Sequence, residues 1–118
     1  MALFLKYGGM SFWTALIDEL YDRVLATSSL QPFFPHKNQQ RIKDMMLSLL
    51  EMTFTGERFP DKSLLIHQSL HIEEHHFTTF LSLYEEVLEE MEVESEDVEF
   101  LARVMHSYHD SIVAQKFS

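Results

Sequence analysis

The chain has 118 residues, 46% of them hydrophobic, and it contains no cysteine. A chain of this length supports one hydrophobic core, so we expect a single domain over residues 1–118. The lack of cysteine excludes disulfides, thiolate zinc sites and iron–sulfur clusters. A net charge of −10 repels phosphate backbones and anionic lipid headgroups, which argues against nucleic-acid and membrane partners.

The sequence also bears on cellular location. No apolar run approaches the roughly 20 residues that a membrane helix needs. The opening stretch MALFLKYGG lacks the long apolar segment and the small-residue cleavage site of a signal peptide. We therefore expect a cytoplasmic protein.

Apolar residues recur at helical spacing along most of the chain, and no long segment alternates as a strand would. Ser11 is the expected N-cap of the first helix, and Gly56 suits the C-terminus of the second. The pattern predicts an all-α fold with four long helices. Their apolar stripes are Phe12, Leu16, Leu20 and Val24; Ile42, Met46, Leu49 and Leu50; Phe77, Phe80, Tyr84 and Leu88; and Val98, Leu101, Met105, Tyr108 and Ile112.

A weakly apolar segment, ERFPDKSLLI, leads from Gly56 into the histidine-rich stretch HQSLHIEEHHF at residues 67–77. So much imidazole permits three interpretations: a metal site, one cofactor ligand among bystanders, or solvated surface residues. His67 follows an apolar run, which favours a buried position. The remaining histidines of the stretch lie among glutamates, so we expect them to be solvated residues at the start of the third long helix.

Three blocks of the sequence resemble the truncated haemoglobins, most closely their group I (N-type) branch. LFLKYGG resembles the family's aromatic-x-Lys-x-Gly-Gly opening. LYDRVLATSSLQPFF, residues 20–34, resembles its block of a distal tyrosine, Arg-Val and a Phe-Phe pair. HQSLHIEEHHF resembles the proximal block, in which a histidine on a loosely helical segment precedes a phenylalanine. The resemblance spans Leu3 to about Val113 and implies a 2-on-2 helical sandwich around haem.

The resemblance also implies roles for single residues. His67 matches the proximal ligand of the haem iron, and neutral imidazole suits that metal. Tyr21 matches the distal tyrosine that donates a hydrogen bond to a bound gas, and Phe34 matches the phenylalanine that stacks on haem. The expected haem pocket comprises Phe33, Phe34, Ile42, Met45, Met46, Leu49, Leu50, Phe77 and Phe80.

The sequence departs from the family pattern at Met46. Many relatives carry a glutamine there as a second hydrogen-bond donor, and methionine cannot donate. We therefore expect weaker retention of a gas than a two-donor pocket gives. A further hypothesis is that Met45 or Met46 ligates iron directly, although methionines on a helix usually fill gaps in a core.

Basic residues are scarce, with nine Lys and Arg in the chain. Arg41 and Lys43 flank the second stripe and are candidates to bind the haem propionates. Ordinary surface charge explains them equally well. His109, in the last helical pattern, is a candidate to contact the haem edge, as a histidine does in some relatives.

The implied cofactor is haem b (iron protoporphyrin IX), and the implied ligands are O2, NO and CO. The implied activity is reversible gas binding, with nitric oxide dioxygenation as the possible enzymatic reaction. An external reductase would restore ferrous iron, because the chain has no flavin or nicotinamide motif. Storage, sensing and nitric oxide removal use the same parts, so the sequence leaves them open. We expect a monomer or a weak dimer.

Two other classes of protein stay open. A non-haem zinc or di-iron bundle would use the clustered histidines, but a di-iron bundle needs Glu-x-x-His on each of two helices. Glu73-x-x-His76 is the one such motif in the chain. A haem-free, globin-like interaction module is disfavoured because His67 and Tyr21 are present together.

Overall fold

The computed structural model describes residues 2–34, 39–57 and 71–113, and every regular element in these ranges is helical. The predicted all-α fold is therefore confirmed. None of the helices in this part of the chain combines the length and the apolar character that crossing a membrane requires. The elements are α1 (Ala2–Lys6), α2 (Met10–Leu25), a 3-10 turn (Gln31–Phe33), α3 (Gln39–Thr55), α4 (Glu74–Glu90), α5 (Ser95–His106) and α6 (His109–Ile112).

Helix α2 is at the centre of the fold because it packs against both α3 and α4. Helices α4 and α5 also pack against each other, so α2 connects α3 to the α4/α5 pair. Each large aliphatic side chain buried in this way stabilises the fold by roughly 1.5–3 kcal/mol. The apolar stripe of α2 supplies the buried residues Trp13, Leu16, Ile17, Leu20, Tyr21 and Val24.

The short helix α1, which the apolar spacing does not predict, is fixed to the core by an indole. Trp13 Nε1 donates a hydrogen bond to the Phe4 carbonyl oxygen at 3.0 Å. The Trp13 ring also packs on Phe54 of α3, with centroids 4.7 Å apart. Just after α1, the Tyr7 hydroxyl donates to the Asp97 carboxylate of α5. The N-terminal segment is therefore tied to two other helices.

Helices α1, α3 and α4 end in the same hydrogen-bonded turn, the Schellman motif, which needs one residue at positive φ. Glycine holds that position after α1 and α3, at Gly8 and Gly56. After α4 it is held by Glu92 at φ 65°, and the Val93 amide donates to the Leu88 carbonyl at 3.0 Å. Left-handed backbone costs an L-residue about 1–2 kcal/mol. The end of α4 therefore carries strain that glycine would relieve.

Two predictions about helix ends are wrong. Helix α2 begins at Met10 with Gly9 as its N-cap, so Ser11 lies inside the helix and caps nothing. The Gly-Gly pair starts the helix earlier than the apolar stripe suggests. The last apolar pattern is two helices, because the chain turns at residues 107–108 before α6 begins at His109. Apolar spacing continues across this turn and so does not reveal it.

Replacing Glu92 with glycine is expected to raise the free energy of unfolding by about 0.5–1 kcal/mol, because glycine adopts positive φ without strain. Gly56→Ala makes the opposite kind of change at the end of α3 and is expected to lower the free energy of unfolding by about 1 kcal/mol. Nothing lies within 4 Å of a Cβ added at Gly56, so that loss would come from φ alone. Urea unfolding curves measure both. A Glu92→Gly variant less stable than the parent would contradict the strain at this turn.

Candidate functional site

An aromatic cluster, formed by Tyr21, Phe34 and Phe80, joins α2, the 3-10 turn region and α4. Tyr21 is 0% exposed, and its ring meets Phe34 edge-on with centroids 5.9 Å apart. Phe34 stacks parallel to Phe80 at 6.0 Å. The structure thus brings together three residues that the sequence predicted for the pocket, on three separate segments.

The Tyr21 phenol is a hydrogen-bond donor at neutral pH. Burial raises the pKa of Tyr21 above its ordinary value, and the nearby Lys43 cation partly opposes that rise. Lys43 Nζ lies 5.5 Å from the centre of the Tyr21 ring and 3.1 Å from the Asp18 carboxylate. The second propionate candidate, Arg41, is exposed. Of the two cations, Lys43 is therefore the one that borders the aromatic cluster.

Helix α3 presents an apolar face that protein side chains cover only in part. Of its 17 residues, Leu50 alone is buried. Ile42, Met46 and Leu49 are half-buried, and Met46 packs on the hydrophobic core. Met45 is 49% exposed. This partly covered face contrasts with α2, where six residues are buried.

A flat apolar cofactor fits the described part of this site. The half-buried side chains of α3 and the parallel rings of Phe34 and Phe80 offer apolar surfaces, and Tyr21 offers one protonated donor. In residues 2–34, 39–57 and 71–113 no charged side chain is buried that would oppose an apolar ring. Haem meets this description. Its predicted iron ligand, His67, lies outside the described residues.

Phe33 and Phe77, two further predicted pocket residues, contact histidines. The half-buried Phe33 ring meets the His76 ring with centroids 4.7 Å apart. Phe77 is buried and meets the His109 ring at 5.0 Å. His109 is therefore in contact with a pocket candidate, while its own role at a haem edge stays a prediction.

The histidines at the start of α4 have a local explanation. The Glu73 carboxylate accepts a hydrogen bond from the His76 amide, and His76 Nδ1 accepts one from the Glu73 amide at 3.0 Å, which forms a capping box. His71 and His75 are exposed, as expected, whereas His76 is half-buried. The three histidines therefore lie at or just before the start of the third long helix, as expected, with His76 only partly solvated. The Glu-x-x-His spacing signals this cap, since it joins N-cap to N3.

The same residues bear on the non-haem alternative. Glu73, His75 and His76 offer ligand atoms within 4.8 Å of one another. Glu73 and His75 are exposed, and the capping box already uses His76 Nδ1. A di-iron bundle instead holds its carboxylates inside the bundle, and the described ranges contain no buried carboxylate or histidine. These observations favour haem over a zinc or di-iron centre.

Comparison with known protein families agrees with this geometry. The family described as bacterial-like globin matches residues 2–114 of the chain. No curated protein and no solved structure matched the chain. The family match confirms the resemblance to truncated haemoglobins and the helical sandwich. The group I assignment stays a prediction, because the match is to the broader family.

His109 is expected to make stability depend on pH. Hydrogen bonds to Glu74 and Asp110 raise the pKa of His109 above its ordinary 6.5. Stability from a raised pKa is present below the unfolded-state value and is lost as pH rises through the folded-state value. The stability of the parent relative to His109→Gln should therefore be greatest at acidic pH and fall as the pH rises above the ordinary histidine value of 6.5. Urea unfolding at several pH values measures this difference. With Glu74→Gln as the background the fall should be smaller, and a flat difference in the parent would contradict the argument.

Proposed function

The chain belongs to the bacterial-like globin family, and we propose that it uses haem b, ligated by His67, to bind dioxygen, nitric oxide and carbon monoxide reversibly. Haem-based gas binding in general follows from membership of the family. The observation that carries the finer proposal is Tyr21, which is fully buried and protonated and lies against Phe34. We further propose a cytoplasmic monomer or weak dimer.

When bound, haem supplies an iron centre at which a diatomic gas is held reversibly. The side chains of the protein would hold the cofactor and stabilise the bound gas. His67 would hold the iron from the proximal side, and Phe34 would pack on the flat face of the cofactor. Tyr21 Oη would donate a hydrogen bond to a polar gas. Because the pocket is apolar, that hydrogen bond is stronger than it would be in water.

Nitric oxide dioxygenation is the enzymatic activity that we propose. One nitric oxide, one dioxygen and one electron yield one nitrate. The chain contains no flavin or nicotinamide motif to supply the electron, so an external reductase must provide it. Stoichiometric nitrate formation by the ferrous protein, with turnover only when a reductant is added, would distinguish this activity from storage or sensing.

Replacement of His67 with alanine is expected to abolish stable haem binding. The parent protein supplied with haem should show an absorption band that shifts on reduction and again on addition of carbon monoxide. The control His75→Ala removes an exposed histidine of the same stretch and should keep all these bands. A ferrous spectrum typical of five-coordinate iron would exclude ligation by Met45 or Met46. Haem bands that persist in His67→Ala would overturn the assigned ligand.

Replacement of Tyr21 with phenylalanine is expected to speed dioxygen dissociation. A hydrogen bond to a charged acceptor contributes about 1.5–3 kcal/mol, which corresponds to roughly a 10- to 150-fold faster escape. Stopped-flow mixing measures the rate. Carbon monoxide is a much less polar ligand and serves as the matched control, so its dissociation should change little. Equal acceleration of both gases would indicate damaged packing and not a lost donor.

A further inference from the structure

Lys43 is held in a way that sets it apart from a free surface charge. Its side chain is 19% exposed, and its Nζ lies 3.1 Å from Asp18 Oδ1. The same Nζ lies 5.5 Å from the centroid of the Tyr21 ring, within the roughly 6 Å range of a cation–π contact. The cation of α3 is therefore positioned by two side chains of α2.

The backbone explains why these residues meet. Asp18 and Tyr21 are three residues apart on α2, so they lie one above the other on one side of that helix. Helix α3 packs against α2, and Lys43 reaches this side from its first turns. Asp18 is 54% exposed, whereas Tyr21 is fully buried. Lys43 thus places its charge at the boundary between solvent and the buried phenol.

A charge at such a boundary acts on the phenol more strongly than a fully solvated lysine would. The low dielectric of the interior reduces screening between the cation and the ring. A cation near an aromatic face attracts its negative π charge, which polarises the O–H bond of a phenol and makes it a better donor. The positive potential also favours any negative charge that develops on a gas ligand beside Tyr21.

We propose that Lys43, anchored by Asp18, is a positioning residue for Tyr21 that strengthens the hydrogen bond from the phenol to a polar gas and so favours dioxygen over carbon monoxide. This inference rests on the proposed function, because it concerns the bond that Tyr21 donates. It assigns Lys43 to the distal side of the pocket and leaves Arg41 as the candidate for the propionates.

The first test uses the protein without haem, so that it does not depend on gas binding. A double-mutant cycle of Lys43→Met and Tyr21→Leu, measured by urea unfolding, isolates the coupling between cation and ring. The coupling is expected to change the unfolding equilibrium constant by about 2- to 5-fold. Additive effects of the two substitutions would overturn the contact on which the inference depends.

The second test uses the protein with haem bound, in the ferrous carbonyl and dioxygen forms. Lys43→Met should raise the C–O stretching frequency, because a positive field near the ligand lowers it, and should speed dioxygen dissociation by about 2- to 5-fold. Lys43→Arg keeps the charge and should restore both properties. The control Arg103→Gln removes an exposed cation from α5 and should change neither. Equal shifts in Lys43→Met and Arg103→Gln would overturn the inference, since they would reflect net charge alone.

A comparison with Tyr21→Phe separates the two proposals. If Tyr21→Phe speeds dioxygen dissociation and Lys43→Met does not, the role of Lys43 is wrong while the proposed function stands. If Tyr21→Phe leaves the rate unchanged, the distal donor itself is wrong, and the role of Lys43 falls with it. In the Tyr21→Phe background, Lys43→Met should lose its effect on dioxygen. An undiminished effect there would show that Lys43 acts by another route.

Discussion

One face of α2 builds both the hydrophobic core and the candidate site, and the rest of the structure depends on that shared face. Leu16 and Leu20 are buried on it, and Tyr21 lies among them, fully buried. Because successive helical residues are turned by about 100°, moving the tyrosine one position would carry its hydroxyl away from Phe34. The packing that stabilises the fold therefore also fixes the position of the donor.

Helix α3 buries far fewer of its side chains in the core than α2 does. Its apolar side chains are mostly half-buried, so its packing is completed by whatever else covers that face. A cofactor that binds there and not to the unfolded chain stabilises the folded state by mass action. Binding of the proposed haem against α3 would therefore link occupancy of the site to folding of the protein.

The long helices could be predicted because their apolar period extends over several turns. The apolar period does not predict elements or turns that contain only a few residues. Helix α1 spans Ala2–Lys6, too short for a pattern, and the turn before α6 interrupts no apolar stripe. The start of α2 depends on the backbone of Gly9, at φ 70°, rather than on a capping side chain.

The sequence predicted that Tyr21, Phe34 and Phe80 belong to one site, and the structure places their rings in one cluster, while their roles toward haem stay predictions. Contacts that depend on how two helices face each other were not predicted. The sequence did not predict the ion pair of Asp18 with Lys43, although Asp18 lies one turn before Tyr21. Residue spacing along one helix does not show which residue of another helix it contacts. His76 is also missed, since its role is to close a backbone turn and not to bind a ligand.

Trp13 gives the protein a further property. It is the single tryptophan of the chain, and it is fully buried between α1 and α3 while its indole nitrogen binds the backbone of α1. When α1 leaves the core, the indole nitrogen loses its carbonyl partner on Phe4, while the contact of the ring with Phe54 belongs to the packing of α2 on α3. Tryptophan emission from this molecule therefore reports on the one place where α1, α2 and α3 meet, without contributions from any second fluorophore of that kind.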